Sequence, residues 1–218
     1  MHISAIEEIL LDYKLGHFVI LIDDQDRENE GDLMIAAEFV DAAKINFMLK
    51  EARGLICLSL TSRHVQQLQL PMLKSDLHKS SRNHAAFTFS IEASQGVTTG
   101  ISAKERAYTI QTAIKKTASA ADIVCPGHVF PLMAKDGGVL ERAGHTEASI
   151  DLARLCKLNE SSLICEILDD EGEAATAVYL KIFSEKFNIK IGTVADLIKY
   201  RKAVQEPKRE HKLEMSSL

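Results

Sequence analysis

The chain has no excess of positive charge. With 26 Lys and Arg against 31 Asp and Glu it carries a net −5 at pH 7, so no basic stripe is at hand to neutralise phosphate backbones, and nucleic acid is not an expected partner. Cysteine is scarce: Cys57, Cys125, Cys156 and Cys165 form no C-x-x-C pair. A chain of 218 residues buries enough apolar surface to fold without disulfide staples, so reduced thiols are expected. No apolar run approaches the roughly 18 residues of a membrane span, and the N-terminus lacks the basic, apolar, small-residue order of a signal peptide. The expectation is a soluble, cytoplasmic protein with no membrane contact. No G-x-G-x-x-G follows an apolar run, which argues against a Rossmann nucleotide site. Internal repeats and Pro/Gly/Ser-rich linkers are missing too. One domain over residues 1–204 is expected, with a polar, aperiodic and flexible tail over 205–218.

What the chain does have is negative charge in one place. Asp23-Asp24-Gln25-Asp26-Arg27-Glu28-Asn29-Glu30-Gly31-Asp32 sits between the apolar runs Phe18 to Ile22 and Leu33 to Ala37, and its six carboxylates share one arginine. Such a density repels itself unless a cation or strong hydrogen-bond donors gather there. Three uses fit. A solvated acidic hairpin is the plainest. An EF-hand matches at Asp26, Glu28, Glu30 and Gly31 but puts Ala37 where the bidentate Glu belongs and a strand where a helix should precede. A loop for a divalent cation and a sugar phosphate would use the carboxylates for the ion and Arg27 for a phosphate or enediolate oxygen.

Periodicity supplies the frame. Ile3, Ile6, Ile9 and Leu10 recur at helical spacing, with Gly16 as a stop. His17 to Ile22, Leu33 to Glu38, Leu55 to Leu60, Phe87 to Glu92, Ser162 to Leu168 and Ile189 to Ile191 read as strands. Asp41 and Ser102 are placed to cap helices, and residues 62–69, 173–186 and 194–200 also carry helical patterns. Thr146 is expected to cap a helix that buries Ile150, Leu152, Ala153 and Leu155. The stretch from Pro71 to Ala86 has no period and is long for a connection, which suggests a lid or substrate loop. Strands and helices alternate, yet the first two strands are joined too closely for a crossover. A single mixed β-sheet flanked by helices follows, an α+β chain of the mixed sandwich kind.

Several segments have the parts of a site. Arg142-Ala-Gly-His-Thr146 offers a guanidinium, a close-approach glycine and free N–H groups at a helix start, suited to an anion or to an ordinary capping turn. The helix terminus there disfavours a protonated His145, leaving a ring nitrogen for a metal. Alternation along Leu163 to Leu168 puts Glu166 on an apolar face, where a carboxylate must be paired, metal-bound, protonated or at an exposed strand end. Gly96-Val-Thr-Thr-Gly100 suits a polyol, a phosphate or a simple turn. Cys57, in mid-strand, reads as a core thiol, and His128 alone reads as structural.

Taken together these segments resemble the 3,4-dihydroxy-2-butanone 4-phosphate synthase family of riboflavin biosynthesis. Asp23 to Asp32, Gly54-Leu-Ile-Cys57, Gly96 to Gly100, Pro126-Gly-His-Val-Phe-Pro131, Gly137-Gly-Val-Leu140, Arg142 to Ala148 and Ile164-Cys-Glu166 stand in that family's order and approximate spacing. The resemblance implies a lyase that takes ribulose 5-phosphate to 3,4-dihydroxy-2-butanone 4-phosphate and formate. It implies Mg²⁺, with Mn²⁺ as a substitute, held by Glu28 and His145; two ions to a site are expected because they would suit a ligand with several adjacent oxygens. Arg27, Glu28, Asp32, Arg142, Ala143, Gly144, His145, Thr146 and Glu166 would bind substrate, and His128 and Glu166 would serve catalysis. A homodimer with active sites at the subunit boundary is implied as well. Asp26 or Glu30 is expected to assist through waters. The chain departs from the family pattern at Gln25, Cys125, Met133, Asp169 and Ala174-Ala175-Thr176. No zinc-type cysteine cluster follows residue 200, so the cyclohydrolase half often fused to this domain is not expected. The competing expectations are a non-catalytic phosphosugar- or nucleotide-binding protein on the same scaffold and a calcium sensor.

Overall fold

The computed structural model describes residues 1–73 and 85–215, with 205–215 as backbone alone. Seven strands, β1 (Val19–Ile22), β2 (Gly31–Ala36), β3 (Cys57–Leu60), β4 (Ile91–Ala93), β5 (Ile123–Met133), β6 (Ser161–Glu166) and β7 (Ile191–Thr193), form one mixed sheet in the order β4-β5-β3-β6-β2-β1-β7. β1 and β2 are antiparallel, as their short connection requires, and β2 pairs antiparallel with β6. β6 is antiparallel to β3, while β3 runs parallel to β5 and β1 parallel to β7.

Both faces of the sheet are covered. On β2, Leu33 and Ile35 point into one apolar cluster and Met34 and Ala36 into the other, the period of two that a strand imposes. The first cluster is closed by α2 (Ala42–Phe47), α3 (Ser62–Gln67), α4 (Ala103–Ala113) and α6 (Ala177–Phe187), through Ile45, Val65, Ile110, Leu180 and Phe183. The second is closed by α1 (Ile6–Lys14), α5 (His145–Cys156) and α7 (Val194–Met215), through Ile9, Tyr13, Ala148, Leu152 and Leu197. Cys57 lies in this second cluster as a buried thiol. The fully buried Tyr13 hydroxyl donates to Ser162 Oγ at 2.9 Å and so pins α1 to β6 across the layer boundary.

Local signals set most boundaries. Asp41 accepts from Lys44 N and Ser102 from Glu105 N, the two caps expected from sequence. Thr146 is not the cap of α5. The helix begins two residues earlier, at His145, with Ala148 N bonded to Gly144 O, so Gly144 holds the cap position and Thr146 lies buried in the first turn. The strand expected at Phe87 to Glu92 is reduced to Ile91–Ala93, preceded by isolated bridges at Phe87 and Thr88. The last helix, expected to stop at Tyr200, runs to Met215. Residues 74–84, the body of the expected lid, lie outside the described residues.

Candidate active site

Strand register gathers carboxylates at one end of the sheet. Asp32 on β2 is paired directly with Glu166 on β6, and both project on the α5 face. Like charges directly opposite one another repel. Burial and Glu166 together push the Asp32 carboxyl well above the usual carboxylate range, with Glu30, Asp23 and Glu28 adding to the effect. Glu166 is held from the other side, where Leu55 N donates to its Oε2 at 2.9 Å. Gly54 makes that approach possible, since a Cβ there would fall on the Glu166 backbone oxygen and 2.8 Å from Oε2.

The acidic turn folds back over this row. β1 ends at Ile22, and Asp23 continues its alternation inward, its side chain fully buried with Oδ1 accepting from Glu30 N at 2.9 Å. Arg27 Nη1 reaches Asp23 Oδ2 at 2.5 Å and Glu28 Oε2 at 2.7 Å. Burial alone would lower the guanidinium pKa, but Asp23 and Glu28 outweigh it and the net shift is upward. One cation therefore answers two carboxylates, leaving Glu30, Asp32 and Glu166 to one another. Burial, reinforced by Glu28 and Glu166, also raises Glu30.

The first residue of α5 completes the cluster. His145 is buried, its Nδ1 3.4 Å from Asp32 Oδ1. Burial lowers its pKa against the pull of Asp23, Glu28 and Glu30, which keeps the imidazole neutral with a lone pair to offer. Ligand atoms of Asp23, Glu28 and His145 all lie within 4.8 Å of one another. His145 Nε2 and Asp32 Oδ1 are buried with no hydrogen-bond partner among the described residues. Two carboxylates, a neutral imidazole and orphaned acceptor atoms suit a divalent cation, which would supply the missing partner and cancel the repulsion.

Of the residues singled out from sequence, Arg27, Glu28, Asp32, His145 and Glu166 converge here. Arg142, Ala143, Gly144 and Thr146 form the turn into α5 beside it, with Ala143 exposed and Gly144 buried. Arg142 Nη1 lies 2.5 Å from Glu147 Oε2, and the other Glu147 oxygen accepts from Lys135 N at 3.0 Å. Asp26 stays exposed on the turn. His128 stands apart. It lies toward the same sheet end as Glu166, but its strand β5 is two places from β6, roughly 10 Å across. Its partner is Glu92 on β4, whose Oε2 lies 2.8 Å from His128 Nδ1.

Sequence reasoning missed Asp23, Glu92 and Glu147. The signal for Asp23 was present, because Val19, Leu21 and Asp23 share one strand parity and hence one face. Glu147 was hidden by the misplaced cap. Glu92 becomes legible only once β4 and β5 are paired, across a register shift between Ile91 and Glu92.

Comparison with known proteins bears on this arrangement. A family model for 3,4-dihydroxy-2-butanone 4-phosphate synthase matches residues 7–200. The chain is 56% identical over 202 residues to a protein of that name from Photobacterium phosphoreum, covering 92% of this chain and 55% of the relative. It is 53% identical over 201 residues to the riboflavin biosynthesis protein RibBA of Aquifex aeolicus, covering 91% and 49%. The chain thus spans about half the length of these curated relatives. Among solved structures, RibBX, a two-domain synthase from A. baumannii, superposes with a TM-score of 0.86 at 52% identity, over 91% of this chain and 58% of that one. A synthase in complex with two magnesium ions superposes with a TM-score of 0.84 at 36% identity, over 93% and 98%. By sequence over most of its length and by fold, this chain belongs to the 3,4-dihydroxy-2-butanone 4-phosphate synthase family.

Proposed function

We propose that the chain is a lyase converting ribulose 5-phosphate to 3,4-dihydroxy-2-butanone 4-phosphate and formate. The observation that carries this is the convergence of Asp23, Glu28 and His145 within 4.8 Å, beside the buried Asp32 and the half-buried Glu166. Glu28 and His145 would hold Mg²⁺, for which Mn²⁺ can substitute, and Asp23 joins them as a third ligand. When bound, the cation supplies a Lewis acid for enediolate charge. Two ions are proposed, in keeping with the relative solved with two magnesium ions.

The protein's own groups do the rest. Glu166 has Oε2 fixed by Leu55 N, and its other oxygen is placed to take and return a proton. Asp32, favoured in its protonated form by burial, can hold a proton beside it. Arg142 and the N–H groups of His145 and Thr146 in the first turn of α5 suit the phosphate, with Arg27 and the exposed Ala143 bordering the sugar. His128 would carry a second proton from across the sheet end. Repeated enolisation calls for such paired acids and bases near neutrality. We place the working unit as a homodimer with sites at the subunit boundary. Cytoplasmic residence fits four cysteines that are all unpaired; no helix among the described residues is long and apolar enough to cross a membrane.

The test is formate. Purified protein with ribulose 5-phosphate and Mg²⁺ is expected to release one formate per sugar consumed. Ligand binding without formate from folded, metal-loaded protein would favour the non-catalytic phosphosugar binder instead.

A further inference from the structure

Glu92 is a buried carboxylate with no part in the acidic cluster. It is 7% exposed. Thr109, fully buried on α4, donates its hydroxyl to Oε1 at 3.1 Å; that hydroxyl's direction is set because Thr109 Oγ1 itself accepts from Ala93 N at 3.1 Å. Oε2 accepts from His128 N at 3.1 Å and lies 2.8 Å from His128 Nδ1. Arg106, on the same helix as Thr109, is a charged group whose field meets Glu92, and its Nε donates to Ile101 O.

A roof covers this carboxylate. Gly100, at φ +80, passes so close that a Cβ would collide with the Glu92 carboxyl. The turn is held in place by Glu105, which accepts from Thr98 N, Thr98 Oγ1, Gly100 N and Ser102 Oγ. The Gly96 to Gly100 segment, suited by sequence to a polyol or a phosphate, thus spends a threonine hydroxyl and two backbone N–H groups on its own closure.

We propose that Glu92 is the positioning residue of His128. An ionised carboxylate only accepts, so the contact at 2.8 Å requires the proton on Nδ1 and leaves Nε2 with its lone pair. The ring is 43% exposed, so that lone pair is available for proton transfer while the opposite nitrogen is anchored in the protein. Free imidazole side chains favour the other tautomer; the dyad selects the one whose basic nitrogen sits at the ring's far end. The carboxylate also stabilises the imidazolium that forms when Nε2 takes a proton. This deepens the proposed activity and rests on it only for its kinetic arm.

Nitrogen-15 NMR of histidine-labelled protein above the imidazole titration range, with the His128 signals assigned from His128→Gln, tests the tautomer directly. Wild type is expected to show Nδ1–H and a bare Nε2, and Glu92→Leu to revert to Nε2–H. Glu92→Gln keeps an acceptor but loses the charge, so it is expected to retain the tautomer. With ribulose 5-phosphate and Mg²⁺, kcat is expected to fall about 100-fold in Glu92→Leu and about 10-fold in Glu92→Gln, the scale of general acid–base assistance, with KM little changed. An Nε2–H tautomer in wild type overturns the proposal, as does wild-type kcat in either folded variant. Should Glu92→Leu not fold, the wild-type tautomer and Glu92→Gln decide the matter. A wild type that releases no formate sinks the proposed activity and leaves the tautomer assignment standing.

Discussion

Asp32 is the residue under greatest electrostatic tension. Its carboxyl is buried against Glu166, one oxygen has no hydrogen-bond partner among the described residues, and its proton is held far more tightly than in a solvated aspartate. The folded metal-free form therefore binds more protons than the unfolded chain as pH rises above the ordinary aspartate range. Stability must fall with pH across that window, until the folded-state value is passed. Asp32→Asn removes both the repulsion and the slope. It is expected to stabilise the metal-free protein by on the order of 1 kcal/mol, about 2–4 °C in Tm for a chain of this size, and to lose most turnover. Thermal melts in EDTA against pH check the first part, and a variant that melts below wild type at neutral pH would mean that Asp32 is satisfied by groups other than a cation.

At the scale of elements, the segment between α2 and β3 matters more than its length suggests. Arg53 bridges to Ile167, Gly54 lies against Glu166, and Leu55 donates to that carboxylate, so three consecutive residues fix the end of β6. Gly54→Ala is expected to displace Glu166, costing about 1–3 kcal/mol by urea titration and lowering kcat more than it raises KM. Equal stability and kcat would show that Glu166 has room to move. Elements of this kind were legible wherever one physical signal dominated. The buried strands β1, β2, β3 and β6 announced themselves as β-branched or aliphatic runs, and Asp41 and Ser102 as caps. Glu166 stood out because it broke an apolar face. Where pairing decides instead, the chain is silent: β4 is short because its partner β5 is shifted at Ile91/Glu92, and the His128–Glu92 contact joins residues 36 apart. In the acidic turn six similar carboxylates compete, and only burial distinguishes Asp23 from Asp24 and Asp26.

For the molecule as a whole, a cation bound by β1, β2 and α5 together would tie the sheet to one of its helical layers. Anything that binds only the folded state stabilises it, and occupancy at a hundred times Kd is worth about 2.7 kcal/mol. Mg²⁺ is therefore expected to raise Tm by roughly 5–10 °C over EDTA-treated protein. His145→Ala should abolish the rise while leaving the far-UV circular dichroism of the folded protein in place. An undiminished rise in that variant would move the ion elsewhere.

The pairing of Asp32 with Glu166 across β2 and β6 also limits how this protein can evolve. Slipping either strand by a single residue would send its acid to the opposite face and a core side chain into the vacated spot, so insertions and deletions inside those strands are forbidden. Exposed positions outside the proposed site, such as Gln25 on the turn, carry no such restriction. Heritable change in what the protein accepts should accumulate there and in the loops, while the two strands remain a fixed ruler against which every variant is measured.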